Sequence, residues 1–191
     1  MTRTQAERRA STQVKILDAT VETLVAVGYA GASTPEICRR AGVSQGALFR
    51  YWPTKGDLLA EAAAHLLGRV TTAYEQAFTG RDVGIREALE ALWSAYRQPD
   101  LLAAVELYVA ARTDPELAAA LARIEPAHRA NLQRIAVSVM HPDVVAIPGF
   151  ASFVELALAA VQGASVGAAV SDTSHDVILD ALEGLLPPGT R

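Results

Sequence analysis

The sequence predicts an all-α chain of about nine helices, and three observations predict it. Alanine is abundant while β-branched runs are short. Apolar residues recur at spacings of three and four, the period of one helix face. Glycine and proline fall at a few punctuating positions rather than throughout. The chain has 191 residues, 51% of them apolar, which is enough for a sizeable core and excludes intrinsic disorder. A single cysteine, Cys38, allows neither an internal disulfide nor a cysteine-based zinc site, and is read as a small core residue. Met1 to Thr12 is polar and Arg-rich, without the apolar segment of a secretion signal. The most apolar stretch, Phe150 to Val170, is interrupted by Glu155 and Gln162 and is not read as a membrane span. The expectation is a soluble cytoplasmic protein without membrane partners.

The elements follow in order. The first helix is expected from Gln5 to Val27, with Ile16, Leu17, Ala19, Leu24 and Val27 on one apolar stripe and Gly28 as its stop. Ser33 with Glu36 has capping-box spacing, and Thr34-Pro35 fits an N-cap followed by a first-turn proline, so a short second helix starts there and ends at Gly42. Ser44 caps a third, reaching Tyr51 or Trp52 before Pro53. Thr54 caps a long fourth helix from Lys55 to Phe78, closed by Gly80. The fifth carries Ile85, Leu89, Leu92, Trp93 and Tyr96 on one face. Pro99 separates it from the sixth, with Leu102, Val105, Tyr108 and Val109. Asp114-Pro115 opens the seventh, along which Leu117, Leu121, Ile124, Leu132, Ile135 and Val139 align, and Pro126 is expected to kink or split it. His141 to Gly149 reads as a loop. Phe150 to Val170 is the eighth helix, and His175 to Leu186 the ninth, stopped by Pro187-Pro188.

The net charge of −4 excludes a wholly basic nucleic-acid binder but hides an asymmetry. Residues 1–60 hold eight basic side chains against five acidic ones, a net +3; residues 61–191 hold nine against sixteen, a net −7. A basic first third on an acidic body points to two jobs in one chain. Within that third, residues 33–52 form two short helices joined by the tight turn Ala41-Gly42-Val43-Ser44. Ile37 and Ala41 face inward from one, Leu48 and Trp52 from the other, and Val43 plugs the turn. This is a helix-turn-helix, whose second helix can enter a DNA major groove. Its outward positions are Gln45, Gly46, Ala47, Arg50 and Tyr51. Glutamine can bond adenine through two hydrogen bonds, and small residues permit close approach and methyl contact with thymine. Ser44, Tyr51 and Lys55 can hold phosphates. A hairpin of this length also occurs inside helical cores; the basic residues on both sides favour the nucleic-acid reading.

The run Gly28-Tyr29-Ala30-Gly31-Ala32-Ser33-Thr34, then Ile37, then Ala41 through Lys55 without a gap, followed by Leu58-Leu59, closely resembles the tetracycline-repressor (TetR) family. The likeness is detailed over about residues 12–60. It implies a DNA-binding domain over residues 1–54 and an effector-binding, dimerising domain over 55–191. It also implies a homodimeric regulator, usually a repressor, released from a palindromic duplex operator by a small molecule. By position it assigns Thr34 and Lys55 to phosphate contact and Ser44, Gln45, Ala47, Arg50 and Tyr51 to the DNA face. Three residues depart from the family pattern: Phe49 stands where tyrosine is common, Ala47 where threonine is, and Gly56 where an acid is. These leave the binding mode intact and put the operator sequence in doubt.

In the acidic body, the eighth helix is apolar nearly all round, with small residues four apart at Ala159, Gly163 and Gly167 and at Ala160, Ala164 and Ala168. Such rows let two helix backbones approach closely. With Ile178, Ala181, Leu182 and Leu185 of the ninth helix they make a four-helix dimer interface, in line with the family's pairing; Ala160, Gly163, Gly167, Ile178 and Leu182 are its core. The alternative is a central core helix. For a largely apolar effector, Trp93, Tyr96, Tyr108, Phe150 and Phe153 supply large rings, and His128 sits on an apolar stripe between Ile124 and Leu132. Further polar candidates are His65, Glu106, Arg112 and Gln162. The four histidines lack metal-ligand spacing, so no metal and no cofactor are expected. No nucleophile elbow, phosphate-binding glycine loop, dinucleotide fingerprint or paired-carboxylate signature is evident, so the chain is not read as an enzyme. The competing readings are a ligand-independent DNA-binding regulator and an all-helical enzyme or carrier.

Overall fold

The computed structural model describes residues 4–81, 83–168, 170 and 175–187. Among them it has ten helices: α1 (Gln5–Gly31), α2 (Thr34–Ala41), α3 (Gln45–Phe49), α4 (Lys55–Phe78), α5 (Ile85–Tyr96), α6 (Pro99–Ala110), α7 (Pro115–Val139), α8 (Pro142–Val145), α9 (Phe150–Gly167) and α10 (His175–Glu183). The all-α class is as predicted; among the described residues the one β feature is an isolated parallel bridge between Val83 and Met140. The chain divides into two compact units, Met1–Leu67 with Ala103–Pro126, and Gly68–Leu102 with Ala127–Arg191.

In the first unit, α1 begins with a reciprocal cap: the Thr4 hydroxyl accepts from Glu7 N–H at 3.2 Å, and Glu7 accepts from Thr4 N–H at 2.7 Å. Its regular path breaks at Gly28 (φ 67°), so the expected stop is present, with one further turn beyond it. Ile16, Leu17, Ala19 and Leu24 are buried as predicted, but Val27 is 46% exposed, because the break at Gly28 follows it directly. Helix α2 packs on α1 and on α3. Leu24 and Ala32, with Leu59, Ala60 and Ala63 of α4, Ala103 and Leu107 of α6 and Leu117, Ala120 and Leu121 of α7, make one continuous core. That burial, at about 25 cal/mol per Å² of apolar surface, holds α1, α4, α6 and α7 together.

In the second unit α5, α9 and α10 pack on one another, and Phe78, Val83, Ala88, Ile135 and Val139 form a second core. Arg86 of α5 ties down α10 by donating to Asp176 at 2.9 Å and to Asp180. Tyr74 donates its hydroxyl to Ala88 O at 3.0 Å, and burial raises its pKa.

Three expectations are corrected. The stretch after His141 is not all loop: Pro142–Val145 makes a helical turn, capped by the His141 ring, which accepts from Asp143 N–H at 3.2 Å. The predicted eighth and ninth helices are therefore α9 and α10. Helix α7 is not split at Pro126; it runs through, since its apolar face is buried on both sides of the proline, at Leu117 and Leu121 and again at Ile135 and Val139. Helix α3 ends at Phe49, with Arg50 as its C-cap and Tyr51 in a turn. Pro188, the second half of the predicted terminal stop, lies outside the described residues.

Candidate nucleic-acid interface

The helix-turn-helix is built by local caps. The Ser33 hydroxyl accepts from Glu36 N–H at 3.4 Å, with Pro35 in the first turn of α2, so Ser33 rather than Thr34 is the cap. Glu36 does not close a capping box. Its carboxylate takes Arg39 at 2.6 Å and Arg40 at 2.8 Å, and these partners hold its pKa down to about 2. Gly42 closes α2 in the left-handed region (φ 62°), where a side chain is disfavoured, and Lys15 of α1 lies beside it. Ser44 then caps α3, its hydroxyl accepting from Ala47 N–H at 3.2 Å.

The two faces divide as the spacing requires. Ile37, Ala41, Leu48 and Trp52 are buried, and Val43 is half-buried in the turn. Cys38 is buried too, and burial raises its thiol pKa, which disfavours the reactive thiolate. Ser44, Gln45 and Arg50 are exposed, and Thr34, Ala47, Tyr51 and Lys55 are half-buried. Among the described residues the side chains of Gln45 and Arg50 have no hydrogen-bond or ion-pair partner within the chain. Tyr51 is more confined: its ring lies 5.6 Å from that of Trp52, with the Arg9 guanidinium 5.5 Å from its centroid. Phe49 is 41% exposed, a bare ring on the outward side.

Lys55 is also held from within. Its ammonium lies 4.7 Å from the Tyr29 ring centroid. The Tyr29 hydroxyl donates to Asp114, and this bond first, then burial, pushes the Tyr29 pKa up to about 12. Asp114 in turn accepts from Leu117 N–H at 3.0 Å, capping α7, and its carboxyl is lowered by that bond first and by Tyr29 second. Glu106 accepts from Tyr29 N–H at 2.9 Å, and Glu116 from Gly56 N–H at 3.3 Å. A Cβ at Gly56 would meet the Glu116 backbone at 3.3 Å, so glycine at this position admits the start of α7. The sequence reading passed over this cluster, since its members are 60 to 85 residues apart and leave no local pattern.

Of the other polar candidates, Glu106 serves the end of α1, and His65 pairs with Asp18 at 2.9 Å. The six expected effector residues fall in different units. Tyr108 belongs to the first, its hydroxyl donating to Glu125 at 2.8 Å. The other five belong to the second: Trp93, Tyr96 and Phe150 are buried, and His128 and Phe153 half-buried. Trp93 stacks on His175, centroids 5.5 Å apart. On the expected dimer face, a Cβ at Gly163 or Gly167 would meet nothing within 4 Å. Ala160 and Ile178 are half-buried, but Leu182 is buried in the chain's own core beside Leu179, and the exposed apolar side chains are Leu156, Val166, Val177 and Leu185. By length and composition α9 could cross a membrane, with a mean hydropathy of 1.4; here it packs on α5 and α10, and Glu155 binds Arg129 at 2.6 Å.

A family model described as bacterial regulatory proteins, tetR family, matches residues 16–62, the whole helix-turn-helix with parts of α1 and α4 on either side. An HTH-type transcriptional regulator of Mycobacterium tuberculosis is 38% identical over 164 residues, covering 81% of this chain and 77% of that one. The chain belongs to the TetR family of transcriptional regulators. The HTH-type regulator CymR of Pseudomonas putida is 34% identical over 118 residues, covering 60% of this chain and 58% of its own. Solved structures share the fold. A regulator from Streptomyces coelicolor superposes with a TM-score of 0.66 at 20% identity, over 92% of this chain and 98% of that one. The multidrug binding protein EbrR, complexed with imidazole, gives 0.63 at 20% identity, over 92% and 94%.

Proposed function

We propose that this TetR-family regulator acts in the cytoplasm as a homodimeric repressor of a palindromic duplex operator, released when a small, largely apolar molecule binds its helical body. Residues 1–54 read DNA and residues 55–191 bind the effector and the second copy. The observation that carries the reading is the capped α3, with Gln45 and Arg50 exposed and without partners among the described residues. Gln45 reads a base, Ala47 allows close approach to a thymine methyl, and Arg50, Tyr51, Thr34, Ser44 and Lys55 take phosphates. Open backbone at Gly163 and Gly167, flanked by exposed Leu156, Val166, Val177 and Leu185, supports pairing of α9 and α10 with a copy, with Ala160 and Ile178 at the margin and Leu182 bracing the face from behind. The body's large rings, Trp93, Tyr96, Phe150 and Phe153 with His128 in the second unit, suit a largely apolar effector, and EbrR, a protein of the same fold, is solved with imidazole.

Selection of bound DNA from a random pool tests the reading. The expected product is a palindrome with half-sites about 34–36 Å apart or a multiple of that. Gln45→Ala should relax preference at one position per half-site by about 1–3 kcal/mol. No enriched sequence, or a Gln45 variant with an unchanged logo, would overturn the assignment of α3.

A further inference from the structure

The first unit contains a cleft of about 730 Å³, within the usual span for small-molecule sites. The early part of α1 (Val14, Leu17), the turn after α3 (Tyr51, Trp52), the start of α4 (Asp57, Glu61) and the middle of α7 (Arg123, Ile124) line it. The expected effector rings are absent from its walls. We propose that this cleft is a second small-molecule site, selective for an organic monocation with a flat apolar body.

Three observations select that chemistry. The first is charge. Arg123 donates to Asp57, which also accepts from the Thr54 hydroxyl at 2.9 Å, so that pair is closed. Glu61 is exposed and, among the described residues, makes no ion pair. One carboxylate is left over in the wall, balanced only by the Arg9 guanidinium at the rim, so a cation that takes the place of Arg9 is favoured over an anion. The second is the rim. The Tyr51 ring already carries the Arg9 guanidinium 5.5 Å from its centroid, so the electron-rich faces at this edge accept a delocalised cation. The third is the apolar wall. Val14, 46% exposed, lines the cleft together with buried Trp52, and a flat hydrocarbon body would cover it.

An occupant here competes with Arg9 for Tyr51 and changes how the turn after α3 is held. Its effect on operator binding rests on the reading of Tyr51 as a phosphate contact; its binding does not.

The test uses the full chain and N-methylquinolinium as probe, with quinoline-4-carboxylate as its anionic counterpart. The chain has two tryptophans, so Trp93→Phe leaves Trp52 as the reporter. The expected result is one saturable site that quenches Trp52, weakened about tenfold by Glu61→Gln and abolished by Val14→Phe, which fills the cleft from an exposed position and adds no second tryptophan. The anion should not bind. No saturable binding, binding that neither substitution moves, or equal binding of the anion would overturn the site. In a second arm the probe should weaken operator binding by the parent chain and not by Val14→Phe. Saturable quenching with unchanged operator affinity would keep the site and sink the assignment of Tyr51 to DNA.

Discussion

The outward surfaces of α3 and of α9 with α10 differ in what they leave without a partner. On α3 the groups free of partners among the described residues are polar, Gln45 and Arg50, and the backbone that presents them is capped by Ser44. On α9 and α10 they are apolar, Leu156, Val166, Val177 and Leu185, around open glycines. A polar group in water loses little by waiting for a charged partner, whereas clustered aliphatic surface gains by leaving water. One surface is thus suited to an intermittent, salt-sensitive partner and the other to a lasting one.

The sharpest way to break that contrast is Gly163→Trp. Within one chain a Cβ at exposed Gly163 meets nothing within 4 Å, so the fold should tolerate a side chain there, and the clash is expected with the second copy of the proposed dimer. The dimer dissociation constant should rise about a hundredfold or more, about 3 kcal/mol, read by sedimentation at graded concentrations with the thermal midpoint as control. A variant that sediments as the parent does would move the interface elsewhere. A smaller effect is expected at the polar surface. Arg50→Ala should weaken operator binding about tenfold and lower the salt slope by about one. Lys55→Ala should change the slope similarly and also cost about 1 kcal/mol of stability, because its ammonium lies over Tyr29. An unchanged slope in both variants would remove these cations from the DNA face.

How legible each region was follows from how local its causes are. The caps at Ser33, Ser44 and Thr54, the stop at Gly42 and the apolar periodicity of α4 and α5 depend on neighbours within four residues, and they stand where the sequence put them. The short α8 was missed because its cap is a histidine, an unusual choice. Leu182 shared a stripe with Leu185, but only the tertiary contacts of α10 decide that one is buried and the other exposed. The acceptors Glu106 and Glu116 come from α6 and α7, and the cleft beside Tyr51 is completed by α7, helices whose register against α1 and α4 no local pattern reports.

Tyr29 offers the finest test of that long-range cluster. Its hydroxyl is a donor to Asp114 only while protonated, and its pKa rises from the ordinary 10.0 to about 12. A pKa raised by folding marks stability that is complete below pH 10, falls as pH climbs from 10 toward about 12, and is gone above it. Asp114 runs the other way. Its lowered carboxyl contributes above the ordinary carboxylate range and loses that contribution as acid protonates it, though Leu117 N–H is the largest single cause of the lowering. Near neutrality both are therefore complete, and Tyr29→Phe should cost about 1 kcal/mol there. Tyr74 is also raised and adds its own alkaline loss, so the informative quantity is the difference between parent and variant. Urea midpoints measured from about pH 8 to pH 12 should converge as Tyr29 ionises in the parent. Parallel curves, with a constant gap or none, would show that the hydroxyl does not hold the end of α1 to the start of α7.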